Sequence, residues 1–183
     1  MSSLKEYYKK TVMPLLKERF GYKNIFEIPR LEKAIVQVGI SSQAKEPAQL
    51  TEVVIDTLKR ITGQMPVITK ARKSISGLKV KKGMVVGAMV TLRGNRLYDF
   101  VEKLIKVVLP RVRDFRGLPF SSVDKQGNLN IGFRESIAFP EVQIDSNERL
   151  HGLGVTIVTN AKTREEGIEL LKLLGFPFRE SNK

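Results

Sequence analysis

The chain has 183 residues, with 32 Lys and Arg against 19 Asp and Glu, for a formal net charge of +13 at pH 7. A hydrophobic content of 42% with 28% charged residues excludes a disordered basic tail and fits one soluble domain of this length. There is no cysteine and one histidine, His151, which excludes disulfides, thiolate metal sites and a two-histidine relay.

The start, MSSLKEYYKK, lacks a signal peptide's apolar core. Residues 2–20 read as an amphipathic helix, with Ser3 and Glu6 at capping-box spacing. Leu4, Tyr8, Val12, Leu15 and Leu16 form its apolar stripe. Gly21 suits its stop, and Pro14 is expected to kink or split it. Residues 24–31 read as a connector. AIVQVGI, from Ala34, reads as a first strand, with Gln37 facing away from Val36 and Val38. The loop SSQAKEPAQ opens a helix reaching Thr62. Its stripe is Leu50, Val53, Val54, Leu58 and Ile61, and Gly63 follows as the C′ residue.

PVIT reads as a second strand and MVVGAMVTL as a third. Gly87 within the third marks a bulge or a close approach of another backbone. VVGAMV, from Val85, is the longest apolar run and falls far short of the ~18 residues a membrane span needs. No membrane is therefore expected, and the cytoplasm is the expected location. Asn95 is placed to cap the next helix, whose stripe is Leu97, Phe100, Val101, Leu104, Ile105 and Val108; Pro110 is expected to end it. Irregular segments follow at 111–128 and 140–152, separated by the short strand LNIGF. The second of them holds the acidic residues Glu141, Asp145 and Glu148. VTIVT, from Val155, reads as a last strand. Thr163 and Glu166 repeat the capping-box spacing before EEGIELLKLLG, the closing helix.

The connections favour neighbouring antiparallel strands. The fold expected is α+β: a single domain over 1–183, with a twisted, mostly antiparallel sheet and helices packed on one face. The other face is left for a ligand.

Between the second and third strands lies the basic loop, 70–83, inside a stretch that has no acid from Asp56 to Asp99. Ten cations fall there: Lys59, Arg60, Lys70, Arg72, Lys73, Lys79, Lys81, Lys82, Arg93 and Arg96. A surface evolved only for solubility mixes both signs, whereas a one-sign block this large suits a polyanion. The length of the loop marks it as functional rather than a plain turn. Catalytic constellations are missing from the sequence. GLKVKKG, from Gly77, has neither the spacing nor the Ser/Thr of a phosphate loop. His151 stands without a partner, and Asp145 with Glu148 read as solvated carboxylates, not as a metal site. No cofactor is expected. No aromatic-rich RNP1 signature is present.

The run LKRITGQMPVITKARKSISGLKVKKG, with VTLRGNRLYDF, LPRVRDFRG, FPEV and VTIVTNAKTREEGIELLKLLGFPF, resembles the bacterial large-subunit ribosomal protein five family. The most specific part is Ile61-Thr62-Gly63-Gln64, then Pro66, then Thr69 to Ser74. The chain departs from the family at Gln37, where Asn is usual; glutamine keeps an amide one methylene further out. The resemblance implies a non-enzymatic protein of the cytoplasmic ribosome that binds 5S rRNA and helps attach it in the central protuberance. It implies further contacts with 23S rRNA, neighbouring large-subunit proteins, the P-site tRNA and a small-subunit head protein.

Polar residues at strand ends beside the acid-free block give the expected 5S rRNA surface: Gln37, Gln64, Thr69, Thr91, Arg93 and Asn95. The tRNA is expected on a mobile finger carrying Lys70, Arg72, Lys73, Lys79, Lys81 and Lys82, with Gly77 and Gly83 giving freedom and no apolar stripe to pack it. The small subunit is expected at Arg111, Arg113 and Arg116, and at 140–152. The rivals are a basic protein-interaction module that binds an acidic partner without specific RNA binding, and a DNA-binding protein.

Overall fold

Helices and strands follow one another in a computed structural model that describes residues 3–40, 47–142 and 151–179. The order is α1 (residues 4–20), β1 (Leu31–Gly39), α2 (Pro47–Thr62), β2 (Val67–Lys70), β3 (Val85–Leu92), α3 (residues 94–111), β4 (Leu129–Phe133), β5 (Leu153–Thr159) and α4 (Arg164–Leu173). The strands form one antiparallel sheet in the order β2-β3-β1-β5-β4, so the α+β expectation holds. β4 matches LNIGF residue for residue, and β1 starts at Leu31, three residues before the expected Ala34. In β4 and β5 alternate residues are buried, as a sheet covered on one face requires. Most of SSQAKEPAQ, and residues 143–150 with Asp145 and Glu148, lie outside the described residues.

The chain gathers into two compact units. The first comprises 1–34, 92–131 and 156–183. Its helices carry two prolines that an α-helix interior should reject, because proline lacks an N–H and presses on the carbonyl four residues back. α1 is not split at Pro14. It runs as Leu4–Tyr7, then a π-helical turn Tyr8–Val12, then Met13–Phe20, with the Met13 N–H donating to the Tyr8 carbonyl. α3 repeats the device: a π-helical turn Leu104–Val108 precedes Pro110, and the helix ends one residue later, at Arg111.

The wide turn also decides which leucine is buried. At ~100° per residue a regular helix brings Leu15 to about 20° from Leu4 and Leu16 to about 120°. One extra residue in a turn rotates everything after it back by about 100°, which brings Leu16 inward instead. Leu16 is accordingly buried and Leu15 is 45% exposed, correcting the expected stripe. By the same rotation Leu109 is buried, while Ile105 is half-buried. The Tyr8 hydroxyl donates to the Pro29 carbonyl at 2.9 Å, and the Leu4 N–H donates to Glu102 Oε2 at 3.2 Å. The capping box of α4 forms in full between Thr163 and Glu166.

The second unit comprises 35–91 and 132–155. Val54, Leu58 and Ile61 of α2 are buried with Val36, Val38, Ala88 and Val90 of the strands. Leu50 and Val53 are half-buried. Gly63 ends α2 as expected, with φ +65° and its N–H donating to the Lys59 carbonyl.

Candidate nucleic-acid interface

β2 and β3 pair antiparallel, with Val67 opposite Met89 and Thr69 opposite Gly87, and a bulge falls between Thr69 and Lys70. The ladder continues past the strands. The Ala71 N–H donates to the Met84 carbonyl at 2.8 Å, and the Gly83 N–H donates to the Ala71 carbonyl at 2.9 Å. Further out, Ile75 and Val80 exchange N–H to carbonyl bonds of 2.9 and 3.2 Å over a 3₁₀ turn, Ser76–Leu78. Lys79 closes that turn in the left-handed region, at φ 52°. The Lys82 N–H donates to Ser74 Oγ at 3.0 Å.

The basic loop is therefore a hydrogen-bonded hairpin within a hairpin, where the sequence led to an unpacked loop. The reason is physical: backbone bonds of this kind close locally and need no apolar stripe. Of the two glycines expected to loosen it, Gly83 takes φ +88°, while Gly77 sits in the 3₁₀ turn without a positive φ. Lys70, Arg72, Lys73, Lys79, Lys81 and Lys82 are all exposed on this hairpin, which holds no acid.

On the open side of the second unit's strands lies a hollow of about 550 Å³. Gln37 and Thr69 line it, so the structure brings these two together. Gln37 is exposed while Val36 and Val38 are buried, as their alternation led one to expect. Gly39, Gly87, Gly132, Gly152 and Gly154 line it too, beside Val38, Val86, Ala88, Met89, Phe133 and Leu153. A Cβ on Gly87 would lie 2.5 Å from the Val38 carbonyl oxygen, which is the close backbone approach expected there. One on Gly152 would lie 2.9 Å from the Phe133 carbonyl oxygen. Gly39 and Gly132 line the same hollow, have ordinary φ values, and would meet nothing within 4 Å. These glycines escaped the sequence reading, although Gly132 inside LNIGF carried the signal that Gly87 did.

Gln64 and Thr91 also meet: Gln64 Nε2 donates to the Thr91 carbonyl at 3.3 Å, so that amide braces the entry to β2. Arg93 and Asn95 belong to the first unit, both exposed at the head of α3. Asn95 is not the cap. The helix starts at Gly94, the cap position is Arg93 without a side-chain bond, and Asn95 Oδ1 accepts from Lys5 Nζ at 2.7 Å. The helix thus begins two residues earlier than an asparagine cap at 95 would start it, with Gly94 taking a φ of +60° at that start.

Arg111, Arg113 and Arg116 are exposed. Arg113 faces Asp114 at 4.0 Å with both side chains in solvent, and the Arg116 carbonyl accepts from Arg179 Nε at 3.3 Å. Among the described residues no helix is long and apolar enough to cross a membrane.

Two family models match the chain: Ribosomal protein L5 over residues 24–81, and the model for the C-terminus of the same ribosomal family over residues 85–178. Among curated proteins, the large ribosomal subunit protein uL5 of Halothermothrix orenii is 51% identical over 180 residues, covering 98% of this chain and 100% of the relative. Its counterpart in Heliobacterium modesticaldum is 51% identical over 179 residues, covering 98% and 99%. That of Thermoanaerobacter sp. is 48% identical over 178 residues, covering 97% and 99%.

Proposed function

The chain belongs to the ribosomal protein L5 family, and from that premise we propose that it binds 5S rRNA on the open face of its second unit and helps attach it in the central protuberance. It is a structural constituent of the large subunit of the cytoplasmic ribosome, not an enzyme. The observation that carries the 5S rRNA reading is the floor of the hollow. Gly39 and Gly132 are exposed, have open space above them, and lie beside the polar Gln37 and Thr69. Glycine in a strand loses conformational entropy and packs nothing, so a strand glycine with no internal reason marks a place where a ligand's backbone comes close. RNA offers phosphates and 2′-hydroxyls to an amide and a hydroxyl at such a distance.

Gln64 and Thr91 complete the proposed 5S rRNA set of the second unit, and Arg93 and Asn95 are proposed as 5S rRNA contacts on the first. The hairpin with Lys70, Arg72, Lys73, Lys79, Lys81 and Lys82 reaches the P-site tRNA. Arg111, Arg113 and Arg116, with 140–152, face a small-subunit head protein, and 23S rRNA and neighbouring large-subunit proteins surround the rest. In this reading the chain acts as one domain. Thr91→Ala with Arg93→Ala tests it, both residues lying outside the buried core. The pair is expected to weaken 5S rRNA binding about tenfold while the melting temperature stays put; unchanged affinity would remove these two residues from the surface.

A further inference from the structure

We propose that residues 177–179 form a strap that positions the arginine segment, 111–117, for its protein partner in the small subunit. The inference rests on the reading of Arg111, Arg113 and Arg116 as a small-subunit contact, and adds what holds them in shape. Phe178 and Arg179 are the positioning residues, and neither needs to touch the partner.

Strap and segment both lie in the first unit. The segment leaves α3 at Arg111, where the Val112 N–H still donates to the Leu109 carbonyl at 3.2 Å. Its other end is closed by the strap. The Leu118 N–H donates to the Pro177 carbonyl at 2.7 Å, and the Arg179 N–H donates to the Leu118 carbonyl at 2.9 Å, which makes a parallel bridge between Leu118 and Phe178. Arg179 Nε donates to the Arg116 carbonyl at 3.3 Å. Gly117 takes φ +89°, and a Cβ there would lie 3.0 Å from the Arg179 backbone nitrogen, so the strap runs directly over the glycine that ends the segment. Phe178 stacks on Phe120 with ring centroids 5.3 Å and planes 2° apart, and Lys172 Nζ lies 5.0 Å from the Phe120 centroid.

Between its two ends the segment has little to stiffen it. Arg111, Arg113 and Arg116 are exposed, and the Arg113–Asp114 pair, at 4.0 Å with both side chains in solvent, contributes next to nothing. Asp114 is left-handed at φ 55°, a conformation that costs energy outside glycine and persists where the surroundings hold it. The strap supplies that hold from the downstream side. Three arginines against the single acid Asp114 suit an acidic face on the partner, and arginines fixed in advance lose less freedom on meeting it.

The test uses the full chain. Phe178→Ala removes the stack at a half-buried residue, and Gly117→Ala pushes against the strap from the opposite side. In nitrogen-15 relaxation the parent should show order parameters of about 0.85 through 112–117, and both variants values below about 0.6 there, with the helices unchanged. Large subunits carrying either variant should join small subunits about fivefold more weakly, while the free chain keeps its 5S rRNA affinity within about twofold. Phe178→Tyr, which keeps a ring on Phe120, should match the parent in both readings.

A parent already mobile through 112–117, or variants as rigid there as the parent, would overturn the strap. So would a loosened segment with normal joining. Loss of 5S rRNA binding in step with joining would make the stack a general support of the fold, which also overturns the proposal. Arg111, Arg113 and Arg116 changed together to Ala separate the two levels: weak joining there upholds the small-subunit reading whatever the strap variants do, and normal joining overturns that reading and the proposal with it.

Discussion

Two pairs of glycines in this molecule are used in opposite ways. In the first unit Gly127 and Gly167 touch: a Cβ on Gly167 would lie 2.4 Å from the Gly127 Cα and 2.5 Å from its carbonyl oxygen. The space is already filled by backbone, and glycine is what lets α4 sit down on the turn before β4. In the second unit Gly39 and Gly132 would meet nothing within 4 Å. A glycine costs stability in either setting; the first pair is explained by the protein itself, and the proposed function explains the second by an RNA outside it. On that proposal, stability and recognition fall to different residues of the same type.

The contrast is sharpest under substitution. Gly167→Ala raises intrinsic helix propensity by about 1 kcal/mol, yet its methyl has no room. The net result expected is a loss of about 2 kcal/mol or more in denaturant unfolding, with 5S rRNA affinity of the folded protein unchanged. A stabilised Gly167→Ala would break the comparison at its packed end.

A smaller loss is expected for another inward-facing contact, between the buried Tyr8 hydroxyl and the Pro29 carbonyl. Tyr8→Phe leaves that carbonyl unsatisfied and should cost about 1 kcal/mol in the same unfolding experiment, again without effect on RNA.

The smallest effect is a pH dependence at Glu102. The Lys106 ammonium, and next the Leu4 N–H, hold its carboxyl below the ordinary glutamate value, with burial opposing them. Because the folded value lies below the unfolded one, the stabilisation is present above the ordinary value of 4.5 and lost as pH falls through the lowered value. The difference in melting temperature between the parent and Glu102→Gln should be widest near neutral pH and close in acid; a constant gap would mean that the carboxylate charge contributes nothing.

The sequence made local signals legible and left tertiary choices hidden. LNIGF, the Thr163–Glu166 capping box, Gly63 and the close approach at Gly87 were all readable, because each follows from the chemistry of a few neighbouring residues. The choice of Leu16 over Leu15 was not, since it depends on a π-helical turn that no residue between Tyr8 and Val12 announces. Asn95 had the chemistry of a cap, but Gly94 opened the helix first and a lysine from α1 took its oxygen. At the interface the cations could be counted in advance. The closed hairpin that carries them and the glycine floor appear only once the strands are set side by side.

The central claim is that RNA lies on the open face of the second unit, close against its glycines. Gly132→Val tests it most directly, because valine suits an exposed strand and a Cβ at that position would meet nothing within 4 Å. The melting temperature is expected to hold or rise, by up to about 1 kcal/mol of added stability, while 5S rRNA affinity falls at least about tenfold. A Gly132→Val protein that is equally stable and binds 5S rRNA as tightly as the parent would contradict the claim.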